Sequence, residues 1–178
     1  MRAATVLTIA LLALPACSLP EAPPLRPAPV DLADPLPVPA DAQQAIVVSV
    51  TDGDTVRLRG RGAGPLPGDP TRVRILLVDT PEVADGGECF GAEATERTEQ
   101  LLPRGAEVRV EADRDLEDRF DRLLLHVWTA DGVNVGEALV AEGYATVLQL
   151  DPNRRYLERF QAREEQAREA DRGLWSAC

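Results

Sequence analysis

Arg74-Ile75-Leu76-Leu77-Val78-Asp79-Thr80-Pro81-Glu82 reads as a buried strand that opens on an arginine and closes on two carboxylates set either side of a Thr-Pro corner. Apart from Arg74, the run from Val73 to Val78 is apolar and more continuous than an alternating strand, as expected of one near the middle of a sheet, and Asp79 would end it. Upstream, Ile46, Val48 and Val50 alternate with other residues, turn at Asp52-Gly53, and resume as Thr55-Val56-Arg57-Leu58, the pattern of a β-hairpin. Gly60 to Pro70 is a loop rich in glycine and proline.

Downstream, Gly91 begins a helical pattern with Ala94, Thr98, Leu101 and Leu102 on one side, stopped by Pro103 and Gly105. Val108 and Val110 mark a fourth strand and Leu123 to Trp128 a fifth, which turns at Asp131-Gly132 into Val133 to Val135. Glu137 to Glu142 reads as a short helix. The last helix is expected to take Asp151 as N-cap and Pro152 as its first helical residue, to carry Tyr156, Leu157, Phe160, Ala167 and Ala170 on one face, and to end at Gly173. There is no βαβ rhythm and no repeat, so the expected class is α+β: a five-stranded OB-type β-barrel, antiparallel, with three appended helices. Periodicity alone does not separate that barrel from an open sheet.

The first forty or so of the 178 residues do not share this patterning. Arg2 opens a short positive region, and Ala3 to Leu14 is an apolar run too short to span a bilayer, so residues 1–17 read as an export signal. Its end, Leu14-Pro15-Ala16-Cys17, resembles the lipobox of bacterial lipoproteins, in which the cysteine is acylated; ordinary signal cleavage is the alternative. Residues 18–44 are dense in proline and read as an extended tether, leaving 45–178 as the folded domain. Of three cysteines, a lipidated Cys17 would leave Cys89 and Cys178 as one pair in a compartment where a disulfide persists. Closing so long a loop is worth up to about 4 kcal/mol.

The formal net charge is −11, and residues 1–44 carry two arginines against four acids, which leaves −9 on the domain. An acidic body repels nucleic acid at long range, so any chemistry on a polyanion must rest on local positive groups and a cation. Asp54, after the hairpin turn, and Asp79 can converge at the rim of a sheet, with the Thr80 carbonyl as a third oxygen for a hard cation. Glu82, projected by Pro81, is placed to take a proton from a water. A cation beside arginine suits a substrate that is an anion and becomes more so during reaction, which describes phosphodiester chemistry. Each motif alone has a plainer reading, since Asp-Gly is a common turn and Asp-Thr-Pro-Glu a common helix start.

Taken together, Asp52-Gly53-Asp54-Thr55-Val56, the Arg74 to Glu82 stretch, Asp118-Arg119-Phe120-Asp121-Arg122, Asn134 to Val140 and Gly173-Leu174-Trp175 resemble the staphylococcal nuclease family. The resemblance runs in order from about Ile46 to Trp175. It implies an OB-type barrel and calcium-dependent hydrolysis of DNA and RNA that leaves 3′-phosphate ends. It also implies roles: Asp54, Asp79 and Thr80 as calcium ligands, Glu82 as base, Arg74 and Arg122 on the phosphate, and Arg119 and Phe120 at the substrate. Three positions depart from the family pattern. Asp121 replaces a glycine, Phe120 stands where a tyrosine often contacts phosphate, and Gln149, Leu150 and Asp151 occupy the place of base-flanking tyrosines.

His126 reads as a sheet residue, and Trp128 and Trp175 as core or cap. The arginines Arg154, Arg155, Arg159 and Arg163 are interleaved with Glu158, Glu164 and Glu165, which predicts a solvated ion-pair face. The expectation is an exported nuclease, monomeric and without an obligate protein partner, lipid-anchored to a bacterial membrane or secreted, with Ca2+ as cofactor and DNA and RNA as substrates. The competing readings are a non-catalytic OB-type binding module and a structural envelope lipoprotein. A barrel needs neither arginine and none of the three carboxylates for packing, which argues against both.

Overall fold

Alternation along residues 55–61 turns Val56, Leu58 and Gly60 inward and leaves Arg57, Arg59 and Arg61 exposed. That strand, β2 (Thr55–Arg61), lies between β1 (Gln43–Val50) and β3 (Thr71–Ile75). With β4 (Glu107–Glu117) and β5 (Leu123–Thr129) it closes a barrel in the order β1-β2-β3-β5-β4. The computed structural model describes residues 32, 34–84 and 86–178, so Cys17, the export signal and most of the tether lie outside the described residues. Closure shows at Gln44, which pairs with Arg61 on one side and Arg109 on the other. Register shifts in β1 after Val47 and in β4 after Ala112 supply the bends a five-stranded barrel requires. Its interior is filled by Val47, Val56, Leu58, Val73, Ile75, Val110, Leu125 and Val127, all essentially inaccessible.

The class is the expected α+β barrel, with α1 (Gly91–Leu101), α2 (Val135–Ala141) and α3 (Leu157–Glu169) attached and one further turn, α4 (Leu174–Ala177). The sheet is mixed, however: β3 and β5 run parallel, because α1 and β4 intervene between them and return the chain in the same direction. The third strand ends at Ile75 rather than at Asp79. Leu76 and Leu77 turn, with Leu77 at φ 65°, and the Arg74 guanidinium donates to the Val78 carbonyl at 2.6 Å. Asp79 instead makes a two-bond backbone bridge with Thr146.

Helix α2 starts two residues before the expected position, where the Asn134 side chain accepts the Glu137 N–H. Helix α3 starts late, at Leu157, and Asp151 is not its cap. The reason is tertiary. The Asn153 side chain accepts the Arg114 and Asp115 N–H groups and donates to the Asp115 carbonyl, tying residues 151–156 to β4 as turns.

Strand β5 is buried on both faces because α3 covers its outer side. His126 and Trp128 point there, against Tyr156 and Phe160, with the His126 ring 4.9 Å from Tyr156. The arginines of α3 do not pair chiefly along the helix, as their spacing suggested. Arg159 and Arg163 both donate to Glu137, a fully buried carboxylate on α2, at 2.7 and 2.9 Å. The other Glu137 oxygen accepts the Leu36 N–H, and the Trp128 indole donates to the Leu36 carbonyl. Leu36, from the end of the proline-rich stretch, is thereby docked in the core.

Both His126 nitrogens are buried without a hydrogen-bond partner among the described residues, and burial pushes the imidazole down to about 4. The folded state holds this ring neutral while the unfolded chain takes up a proton near its ordinary value. Stability from this residue is therefore complete above that value and lost as pH falls toward the folded one, by about 3 kcal/mol across the window. His126→Phe should remove this dependence, so urea midpoints should rise more at about pH 5 than at about pH 8. Equal shifts at both would count against it.

Candidate active site

The turn before β2 is built by its own side chains. Asp52 accepts the N–H groups of Asp54 and Thr55, at 3.1 and 2.7 Å, which fixes the direction in which Asp54 leaves the hairpin. Gly53 must be glycine for space: a Cβ there would lie 2.6 Å from the Thr80 hydroxyl. Its carbonyl accepts the buried Thr98 hydroxyl of α1 at 2.6 Å. The hairpin, the 79–81 segment and α1 are thus packed into contact at one end of the barrel.

Here the predicted residues meet. The Arg74 guanidinium lies between two carboxylates, 2.9 Å from Asp54 and 2.8 Å from Asp79. Asp54 also accepts the Thr80 N–H at 3.2 Å and the Thr55 hydroxyl at 3.0 Å. The Thr55 hydroxyl in turn accepts from Arg122, whose guanidinium is held 2.7 Å from Asp118. A continuous chain of contacts therefore runs Asp118, Arg122, Thr55, Asp54, Arg74, Asp79. Thr55, Gly53, Thr146 and Asp118 were not among the predicted site residues. Their signal is the turn and strand pairing around the motif, which cannot be read from spacing.

Burial pushes the Asp54 carboxyl up to about 6, against the pull of Arg74 and with a further push from the charge of Asp52. Burial alone would also raise Asp118, but the donors of Arg122 and Phe120 outweigh it and hold it below the usual carboxylate range. Asp121 sits at φ 58°, in the left-handed region, which accounts for a glycine at that place in the family pattern. Its side chain is turned outward and Arg122 pairs with Asp118 instead.

The donor set fits a hard divalent cation. Asp54 and Asp79 come from separate segments, are bridged by one guanidinium, and offer only oxygen, and a cation's charge would offset the cost of burying Asp54. Among the described residues no cluster of three or more metal-binding side chains forms, so further oxygens would come from the Thr80 carbonyl, water and phosphate.

Glu82 is not brought into this chain of contacts. Its carboxylate is exposed, and among the described residues no hydrogen bond or ion pair joins it to Asp54, Asp79 or either arginine. Its backbone is held by Glu88, whose side chain accepts the Glu82 N–H and whose own N–H donates to the Glu82 carbonyl. The same loop is stapled by a disulfide between Cys89 and Cys178, with Cα atoms 6.0 Å apart. Cys89→Ser with Cys178→Ser should lower unfolding stability by about 2 to 4 kcal/mol, read from urea midpoints. A loss below about 1 kcal/mol would show that the staple constrains little.

Beside the two arginines opens a groove of about 510 Å³. Phe120, 52% exposed, stands at its rim with the Arg119 guanidinium 4.7 Å from the ring centre. Leu148 and Leu150 also line it, and Asp115, Glu117, Asp118 and Asp151 face Arg74, Arg119 and Arg122 there, so the groove is of mixed charge. Gln149 and Arg154 both donate to Asp151, so a polar network occupies the place of the base-flanking tyrosines.

The sequence profile described as Staphylococcal nuclease homologue matches residues 72–177. The chain is 34% identical to Endonuclease YncB of Bacillus subtilis (strain 168) over 148 residues, 78% of this chain and 66% of that protein. It is 34% identical to the SPbeta prophage-derived endonuclease YokF of the same organism, covering 70% of this chain and 41% of that one. To the Thermonuclease of Staphylococcus hyicus it is 31% identical over 140 residues, 77% of this chain and 78% of that protein. The chain thus spans less than two thirds of these two Bacillus proteins.

Proposed function

The chain belongs to the staphylococcal nuclease family, and from that premise we propose that it is a calcium-dependent nuclease, hydrolysing DNA and RNA with low sequence specificity. The observation that carries this reading is the placement of Arg74 and Arg122 around Asp54 and Asp79 at one end of the barrel, opening on a groove. Packing does not call for such a set, and phosphate does: guanidinium forks match its oxygens, and their charge does not titrate away.

Bound at Asp54, Asp79 and the Thr80 carbonyl, calcium would polarise the phosphoryl oxygen and neutralise part of its charge. Arg122 is aimed from one side by Asp118 and Thr55. Arg74 is aimed from the other by the Val78 carbonyl and Asp54, and its contact to the half-exposed Asp79 is the one a phosphate would replace. Glu82 takes the proton of a water as its oxygen bonds to phosphorus. The bond from phosphorus to the 5′ oxygen breaks, that oxygen takes a proton from solvent water, and the phosphate stays on the 3′ side. The two arginines stabilise the extra charge of the five-coordinate transition state.

The lipobox-like segment, the proline-rich tether and the disulfide support a place outside the cytoplasmic membrane, with a monomer tethered through lipid on Cys17. The test is a nuclease assay on single-stranded DNA and on RNA with calcium and with a chelator. Cleavage that needs calcium is expected; protein that binds but never cuts either substrate would overturn the reading.

A further inference from the structure

All 19 basic residues of this chain are arginine, and most of those near the helices are matched to carboxylates. Arg97 pairs with Glu142, Arg155 with Glu111, and Arg159 and Arg163 with Glu137. The outer face of β2 and β3 is different. Arg57, Arg59 and Arg61 project from it in succession, and Arg72 does so from β3. Among the described residues only Arg61 of these four has an ion pair, an exposed one with Glu107. Arg57 and Arg72 are direct cross-strand partners, and like charges directly opposite one another in a ladder are destabilising. Folding alone does not explain this row.

The row also has a direction. Cross-strand partners share a face, so Thr55 and Arg74, the next pair along the face from Arg57 and Arg72, put the catalytic arginine at its end. Arg72 donates to the Phe120 carbonyl at 2.6 Å, joining the row to the loop that carries Arg119 and Arg122. Residues two apart on a strand are about 6.8 Å from one another, close to the spacing of phosphates along an extended single strand.

The geometry points to an arginine track: Arg72, Arg57, Arg59 and, at its far end, Arg61 bind the backbone of a single-stranded polynucleotide that extends out of the active groove. This rests on the nuclease reading and deepens it. A domain of formal charge −9 needs a local positive path to approach a polyanion, and here that path leads to the cleavage site. The substrate class that follows is a strand several nucleotides longer than the groove itself can hold.

The test is binding of labelled single-stranded DNA of about 20 and about 4 nucleotides to the purified protein in chelator, by fluorescence anisotropy over a range of salt. Arg57→Ser with Arg59→Ser should weaken binding of the long strand about tenfold, lower its logarithmic salt slope by about 1.4, and leave the short one unchanged. Arg57→Lys with Arg59→Lys should restore most of the affinity, which a misfolded variant would not show. With calcium present, KM for long DNA should rise while kcat holds. Unchanged long-strand binding in the serine variant, or equal losses at both lengths, would overturn the track. So would a variant that loses only its attachment to vesicles of anionic phospholipid. If the protein cuts nothing with calcium but the length-dependent, arginine-dependent binding is present, the track stands and the nuclease reading fails.

Discussion

Arg74→Lys is expected to lower kcat/KM on single-stranded DNA by about 10³-fold while the protein stays folded. The guanidinium of Arg74 serves four acceptors at once: the Ile75 and Val78 carbonyls, Asp54 and Asp79. A lysine keeps the charge that buried Asp54 requires, but it is a point donor and cannot hold that fork while presenting a flat face to phosphate. The turn at Leu76 and Leu77 also closes on this side chain, so the Val78 carbonyl would lose its partner at a cost of about 1 to 3 kcal/mol. Steady-state kinetics beside urea denaturation separate the two effects. Activity within tenfold of the unsubstituted protein would remove Arg74 from the transition state.

The second large effect is expected at Glu82, for the opposite structural reason. Glu82→Gln should reduce kcat by about 10² to 10⁴-fold, the range for loss of a general base. Because the side chain is exposed and the loop is held through its backbone, unfolding stability should change by no more than about 0.5 kcal/mol. Binding of single-stranded DNA in chelator should be unaffected. If kcat falls less than about tenfold, Glu82 does not take the proton, and its distance from the Asp54 and Asp79 contacts is its working position rather than a starting one.

The two residues also show how far linear reading goes. Asp54, Arg74, Asp79 and Arg122 could be named because a turn, a strand end and a second arginine recur in a recognisable order. Their mutual contacts could not. Asp118 aims Arg122 from four residues away, and Thr55 links Arg122 to Asp54 through a hydrogen bond between residues 67 positions apart. The start of α3 at Leu157 departs from its local signal for the same kind of reason. Asp151-Pro152 has the local chemistry of a helix start, but three hydrogen bonds from Asn153 to β4 outweigh the modest local preference. Glu137 looks like a surface residue in a short helix and is the fully buried anchor of Arg159, Arg163 and Leu36.

Legible in the sequence alone were the existence of the third strand around Val73 to Ile75, though not its end, the hairpin at Asp52-Gly53 and the charged groups that meet at the site, because turn chemistry and hydrophobic period act over a few residues. Only the tertiary structure decided that β3 and β5 lie parallel, that one guanidinium bridges Asp54 and Asp79, that Glu82 stands apart from them, and that four exposed arginines share a face leading to Arg74. The position of Glu82 depends on its loop, held by Glu88 and the disulfide, and the others depend on how strands distant in the chain are brought together. Register is set by how the whole barrel closes, not by any one segment.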